Sequence, residues 1–223
     1  CKTVRASVPM YLLSEHIAKQ TDESSVVLLS GEGADELFGG YLYFHNAPTN
    51  DAFHEETIRL LKDIHQYDSL RADRCTAGHG LELRVPFLDK DLVEYVTTQI
   101  CPELKHPRSN DGVEKSLLRS AFEHMLPPEI VNRQKNGMSD AVGYSWVDYL
   151  RSIAKAKVES FSVNKTFTVN TPLTDEELWY RNVFESMYGN KVVSHTGIWR
   201  PRWVPNGLTD PSARLLNQFS DCV

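Results

Sequence analysis

The 223-residue sequence predicts an α/β fold weighted heavily towards helix. Two observations carry that prediction. A short β-branched run, Ser25–Leu29, passes directly into a glycine-rich turn and a helix start, which is half of an α/β unit. The remainder is dominated by apolar positions recurring with a helical period. Hydrophobic residues at 41% and charged residues at 24% suit a globular domain with its own core, either one large domain or two small ones.

In chain order, residues 9–20 place Met10, Leu13 and Ile17 at i, i+3 and i+7, with Pro9 suited to a first helical turn. The strand at 25–29 feeds Ser30-Gly31-Glu32-Gly33-Ala34-Asp35-Glu36 and then Leu37-Phe38-Gly39-Gly40-Tyr41. Residues 53–66 and 68–80 are helical by pattern, the second stopping at Gly80. Leu83–Asp89 carries a central Pro86 and reads as a turn or short extended piece. Helices follow over 112–125, ended by Pro127-Pro128, and over 144–160 and 173–188. The last of these starts near Thr174, with Glu176 and Glu177 in its first turn. From Gly189 onward Gly, Pro and Asn break up the pattern. One strand among so many helices is too few for a complete α/β sheet, which predicts a partial domain.

Charge and composition exclude several functions. Lys and Arg number 24 against 30 Asp and Glu, a net charge of −6, so no net field draws nucleic acid or an anionic membrane. Cys1, Cys75, Cys101 and Cys222 show no CxxC spacing, and the eight histidines form no HxxxH or HExxH pair. That argues for reduced thiols in a cytoplasmic protein rather than a disulfide framework or zinc site. No apolar run reaches the length of a membrane span, and Cys1–Met10 has no apolar signal-peptide core.

Several motifs could carry chemistry. In Ser30–Glu36 the glycines let backbone N–H groups approach a ligand, while the carboxylates favour phosphate only through a bridging Mg²⁺. By spacing alone, a polar turn whose acids support a helix N-terminus is the plainer reading. Lys135, close to Gly137 and followed by Asp140, could neutralise a leaving group from a loop, or be an ordinary solvated basic residue. Arg5 in Thr3–Ser7 says nothing by itself. The alternating charges of 70–74 and 81–89 fit either surface ion pairs or a pocket for a zwitterion. Trp199-Arg200-Pro201-Arg202-Trp203 suits cation–π stacking within a tail.

Taken in order, TVRAS, LLSGEGADELFGGYLYFHNAP, HEET, RADR, HGLELRVPFLD, GVEKSLLR, RQKNGMSD and YSW resemble the synthetase domain of the glutamine-dependent asparagine synthetases. The likeness is collinear over roughly residues 3–150, and DPSAR near the C-terminus echoes it. The resemblance implies the C-terminal, helix-rich portion of a parallel-sheet domain, the adenine-nucleotide α-hydrolase-like or PP-loop ATP pyrophosphatase fold. Residues 1–160 would be the C-terminal part of its ATP/aspartate domain. Residues 161–223 would form a helical and irregular extension of the same domain.

It also implies a carbon–nitrogen ligase that uses ATP, Mg²⁺ and aspartate. β-Aspartyl-AMP would form with loss of pyrophosphate, and ammonia from glutamine would then attack it. Carried over by motif, Ser30 and Gly31 would contact nucleotide, Glu32 would accept a proton from the attacking ammonia, and Asp35 would help hold Mg²⁺. Arg5 and Lys135 would neutralise pyrophosphate, while Arg71 and Asp140 would lie near aspartate. A homodimer is compatible with the family.

Three departures accompany the likeness. No SGGxDS phosphate loop occurs in the sequence, and the glutaminase domain that supplies ammonia is absent, so the chain is expected to be part of a longer protein. Cys1 leads straight into TVRAS and is not read as a glutaminase nucleophile. The family's Lys-Glu and Phe-Ser-Asp-Gly appear here as Lys135-Asn136 and Met138-Ser139-Asp140-Ala141. Rival readings are a non-catalytic remnant that binds nucleotide or a partner chain, and a β-lactam-synthetase-like cyclase, which generally lacks the glutamate at position 32.

Overall fold

Two short strands, β1 (Val26–Leu29) and β2 (Leu81–Arg84), pair in parallel with Val26 opposite Leu81 and Leu29 opposite Arg84. A parallel pair needs a long crossover. Here it comprises α2 (Ala34–Phe38), α3 (Asn50–Asp63) and α4 (Asp68–Ala77). The computed structural model describes residues 2–21, 26–109, 112–133, 135, 137, 143–160, 166–190 and 197–204. Helix α1 (Lys2–Gln20) precedes β1 and packs on α4. After β2 come α5 (Lys90–Thr98), α6 (Ser116–Ala121), α7 (Pro128–Val131), α8 (Tyr144–Glu159) and α9 (Asp175–Tyr188), the last two packed together.

The helix starts follow capping chemistry. The Thr49 hydroxyl accepts from Ala52 N, Asp89 accepts from Asp91 and Leu92 N, and Thr174 accepts from Glu177 N. Each satisfies donors that a helix start would otherwise leave open. The third confirms a start at Thr174. Glu177 answers by accepting from Leu173 N at 2.6 Å.

Four expectations change. The LELR segment, 81–84, is a strand, and only Pro86–Leu88 behind it turns, as a 3₁₀ helix. Lys90–Thr98 is a helix absent from the sequence reading. The 112–125 helix shrinks to 116–121, with Glu123–Met125 in a 3₁₀ turn. Pro9 lies inside α1 rather than in its first turn. A mid-helix proline has no N–H for the carbonyl four residues earlier, here that of Arg5. The Trp146 indole from α8 donates to that carbonyl instead, at 3.3 Å.

Two apolar clusters hold the crossover. Leu42, Tyr43, Phe44, Ala47, Phe53 and Leu60 form one, covered by Trp199, Trp203 and Val204 from the C-terminal strap, residues 197–204. The strap is also pinned by Asn46 Nδ2 donating to Trp203 O at 3.0 Å and by Arg202 to the buried Glu56 at 3.0 Å. Leu37, Phe38 and Val96 form the other. No described helix is long and apolar enough to cross a membrane.

Candidate active site

The turn after β1 is shaped by its neighbours in space. Ser30 N extends the β-ladder by donating to Arg84 O at 2.9 Å, and the Ser30 hydroxyl accepts from Glu32 N at 3.2 Å. Gly33 sits at φ 94°, where a side chain is strained, and any Cβ there would collide with Leu88. This locks the RVPFLD segment against the SGEGADE turn. Space in front of Gly31 is open. Helix α2 spans only five residues, too short to form a helix-terminus anion site.

Two ion-pair groups flank the turn. Glu32 accepts from Arg71 of α4 at 2.7 Å, and Arg71 also reaches Asp68 at 3.1 Å. Burial pushes the Glu32 carboxyl above its ordinary value; Arg71 opposes this, while Asp68 and Asp35 add to it. Three residues further round, Asp35 accepts from Lys115 at 2.7 Å on one oxygen and from Lys135 on the other. Burial alone would raise Asp35, but the two ammonium groups outweigh it and hold the carboxyl below its ordinary value. Gly40 leaves room for this pairing, because a Cβ there would strike the Asp35 carboxylate.

Glu36 turns inward and accepts from the Tyr41 hydroxyl at 2.5 Å. Burial raises it to about 7, with further contributions from Asp68 and Asp35. Tyr41 in turn stands 6.0 Å, ring to ring, from Trp199 of the strap.

Ser30, Gly31, Glu32 and Asp35 share this turn, and Arg71 and Lys135 reach it through their ion pairs. Arg5 belongs to a different constellation. Its guanidinium forks onto Glu176 of α9, which also accepts from Tyr180 at 3.0 Å. Asp140 lies outside the described residues.

Lys115 is the site residue that motif reading passes over. It sits in GVEKSLLR, but its role depends on a left-handed backbone, φ 56°, which turns it onto Asp35. Only the contact reveals that.

Buried polar atoms almost always find a partner. Arg71 Nε and Ser116 Oγ, beside these two ion-pair groups, are buried without one among the described residues, which suits a polar ligand. A bound divalent ion fits less well. Among the described residues no group of three or more His, Cys, Asp or Glu side chains could hold a metal. Both Asp35 oxygens already face lysines, so the described residues do not by themselves make a Mg²⁺ site.

A carboxylate–lysine cluster on a glycine-bounded strand-to-helix turn belongs to the class of helix-rich α/β domains with a small parallel sheet. The family is then given by sequence: the family model described as asparagine synthase matches residues 2–52 and 47–213, and the chain belongs to that family. It is 46% identical to asparagine synthetase [glutamine-hydrolyzing] of Rattus norvegicus, over 97% of this chain and 39% of that protein. The Cricetulus griseus and Homo sapiens proteins of the same name match at 46% and 44%, each over 99% of this chain and 40% of their own length. The chain thus spans about two fifths of the length of these relatives.

Proposed function

We propose that the chain forms part of an ATP-dependent ligase that makes asparagine from aspartate through β-aspartyl-AMP, with ammonia drawn from glutamine by a glutaminase domain outside this sequence. The observation that carries this reading is the pairing of Glu32 with Arg71, next to Asp35 with Lys115 and Lys135, on one turn of an asparagine synthase family member. The domain would be of the PP-loop ATP pyrophosphatase type, with residues 1–160 in its ATP/aspartate part and 161–223 as an extension, working in the cytoplasm.

Carboxylates are poor electrophiles, so adenylation supplies a leaving group, and the departing pyrophosphate needs fixed cations. Lys135 and Lys115 meet that need, exchanging Asp35 for the incoming charge. Ser30 and Gly31 offer the nucleotide a hydroxyl and an open backbone surface. Glu32, whose carboxyl is raised, takes the proton that ammonia loses on attack. Arg71 pairs the aspartate substrate together with Asp140. A direct role for Arg5 on pyrophosphate would require opening its fork with Glu176, so we assign the leaving group to the lysines.

The test is aspartate-dependent ATP–pyrophosphate exchange by the full-length protein. Glu32→Ala should lose coupled asparagine formation, and Lys135→Gln should lower exchange by about 10²-fold, the usual loss when one fixed charge-stabilising group is removed. Wild-type rates in both variants would overturn the assignment.

A further inference from the structure

The two lysines that meet on Asp35 come from segments twenty residues apart, 115 and 135, and one side chain bonds the backbone of both. Arg119, half-buried on α6, donates from Nε to Glu114 O at 2.8 Å, the carbonyl directly before Lys115. Its Nη1 donates to Ile130 O at 3.1 Å and to Val131 O, at the end of α7 on the path to Lys135. We infer that Arg119 is a positioning residue that sets Lys115 and Lys135 on Asp35 together; this rests on the ligase reading above.

Lys115 holds a left-handed backbone, φ 56°, which a residue with a side chain adopts only when its surroundings impose it. Three contacts impose it here: Arg119 on Glu114 O, the Glu114 carboxylate on His45 at 2.8 Å, and Lys115 Nζ on Asp35. The second lysine follows a four-residue helix, α7, which is too short to be rigid alone. The guanidinium is planar and offers several donors in a fixed fork, so it can bridge carbonyls on two segments at once. An ammonium group at 119 presents one nitrogen and cannot span both. Arg119 therefore touches no substrate in this scheme, and acts through the two lysines.

A double-mutant cycle in the full-length protein tests this, using aspartate-driven ATP–pyrophosphate exchange, with thermal melting alongside. Arg119→Lys should lower exchange by about tenfold, at least in ATP KM, while keeping its charge. Residues acting as a unit are strongly non-additive. Arg119→Lys added to Lys135→Gln should therefore cost little beyond Lys135→Gln alone. Arg119→Ala gives a second arm, read only if its melt is cooperative. Losses that simply multiply in the double variant, or wild-type exchange in Arg119→Lys, would overturn the inference. Absence of aspartate-driven exchange in the wild type would instead overturn the ligase reading itself.

Discussion

The Arg5 guanidinium and the Glu176 carboxylate, 171 positions apart, close a two-bond fork at 2.6 and 3.0 Å with both side chains almost fully buried. The pair joins α1 to α9, and Tyr180 braces it from the same helix as Glu176. Breaking a buried pair strands a charge. Glu176→Leu should therefore destabilise the protein by about 3–5 kcal/mol, whereas Arg5→Met with Glu176→Leu should recover most of that. Chemical denaturation measures both. If Arg5 serves structure alone, the double variant also regains ATP–pyrophosphate exchange. If Arg5 neutralises pyrophosphate, stability returns and exchange does not.

Pro9 and Trp146 form a compensating couple. Trp146→Phe should cost about 1–3 kcal/mol by leaving the buried Arg5 carbonyl without its donor. In a Pro9→Ala background a backbone N–H becomes available to that carbonyl, so the same change should cost distinctly less. Equal costs in the two backgrounds, measured by urea unfolding, would remove the link.

Lys105 is buried and donates to Val96 O at 2.7 Å. Burial lowers it from 10.5 to about 8. A lysine whose folded value lies below its unfolded one costs stability while charged. That cost is fully present below pH 8 and disappears as pH rises to 10.5. Relative to wild type, Lys105→Met should thus gain most at pH 7, and the difference should shrink by up to roughly 3 kcal/mol by pH 10.5. A pH-independent difference in unfolding free energy would contradict this.

Gly40→Ala should disturb the Asp35 pairing and the local backbone together. The added methyl group meets the Asp35 carboxylate and pushes it from Lys115 and Lys135. Because the methyl group also meets the Asp35 backbone, stability should fall by about 1–3 kcal/mol, while exchange by the folded protein falls by an order of magnitude or more. Unchanged exchange would mean the Asp35 pairing does not matter for the reaction.

What the sequence reveals and conceals follows physical lines. Local signals were legible: the helix start at Thr174 is written in its capping residues, and the strand before Ser30 in its β-branched run. The turn and most of its charged partners were legible through motif. Contacts between distant segments were not. LELR looks like a charged surface stretch until β1 lies beside it, because a strand four residues long carries little periodicity. Lys115 and Glu176 look like ordinary surface residues until Asp35 and Arg5 meet them. The burial of Arg5 shows the same limit from the other side: a motif names a residue without naming its partner.

The contact between Gly33 and Leu88 has a consequence for substitution. Because the leucine side chain fills the volume a Cβ would need, any residue larger than glycine at 33 requires the side chain at 88 to shift or shrink. A larger residue at 33 would have to arrive with a smaller one at 88, and would still carry the penalty of a left-handed backbone. Two motifs separated by more than fifty residues thus meet at one steric contact. A library randomised at position 33 should therefore return mostly glycine, even where position 88 is free to shrink.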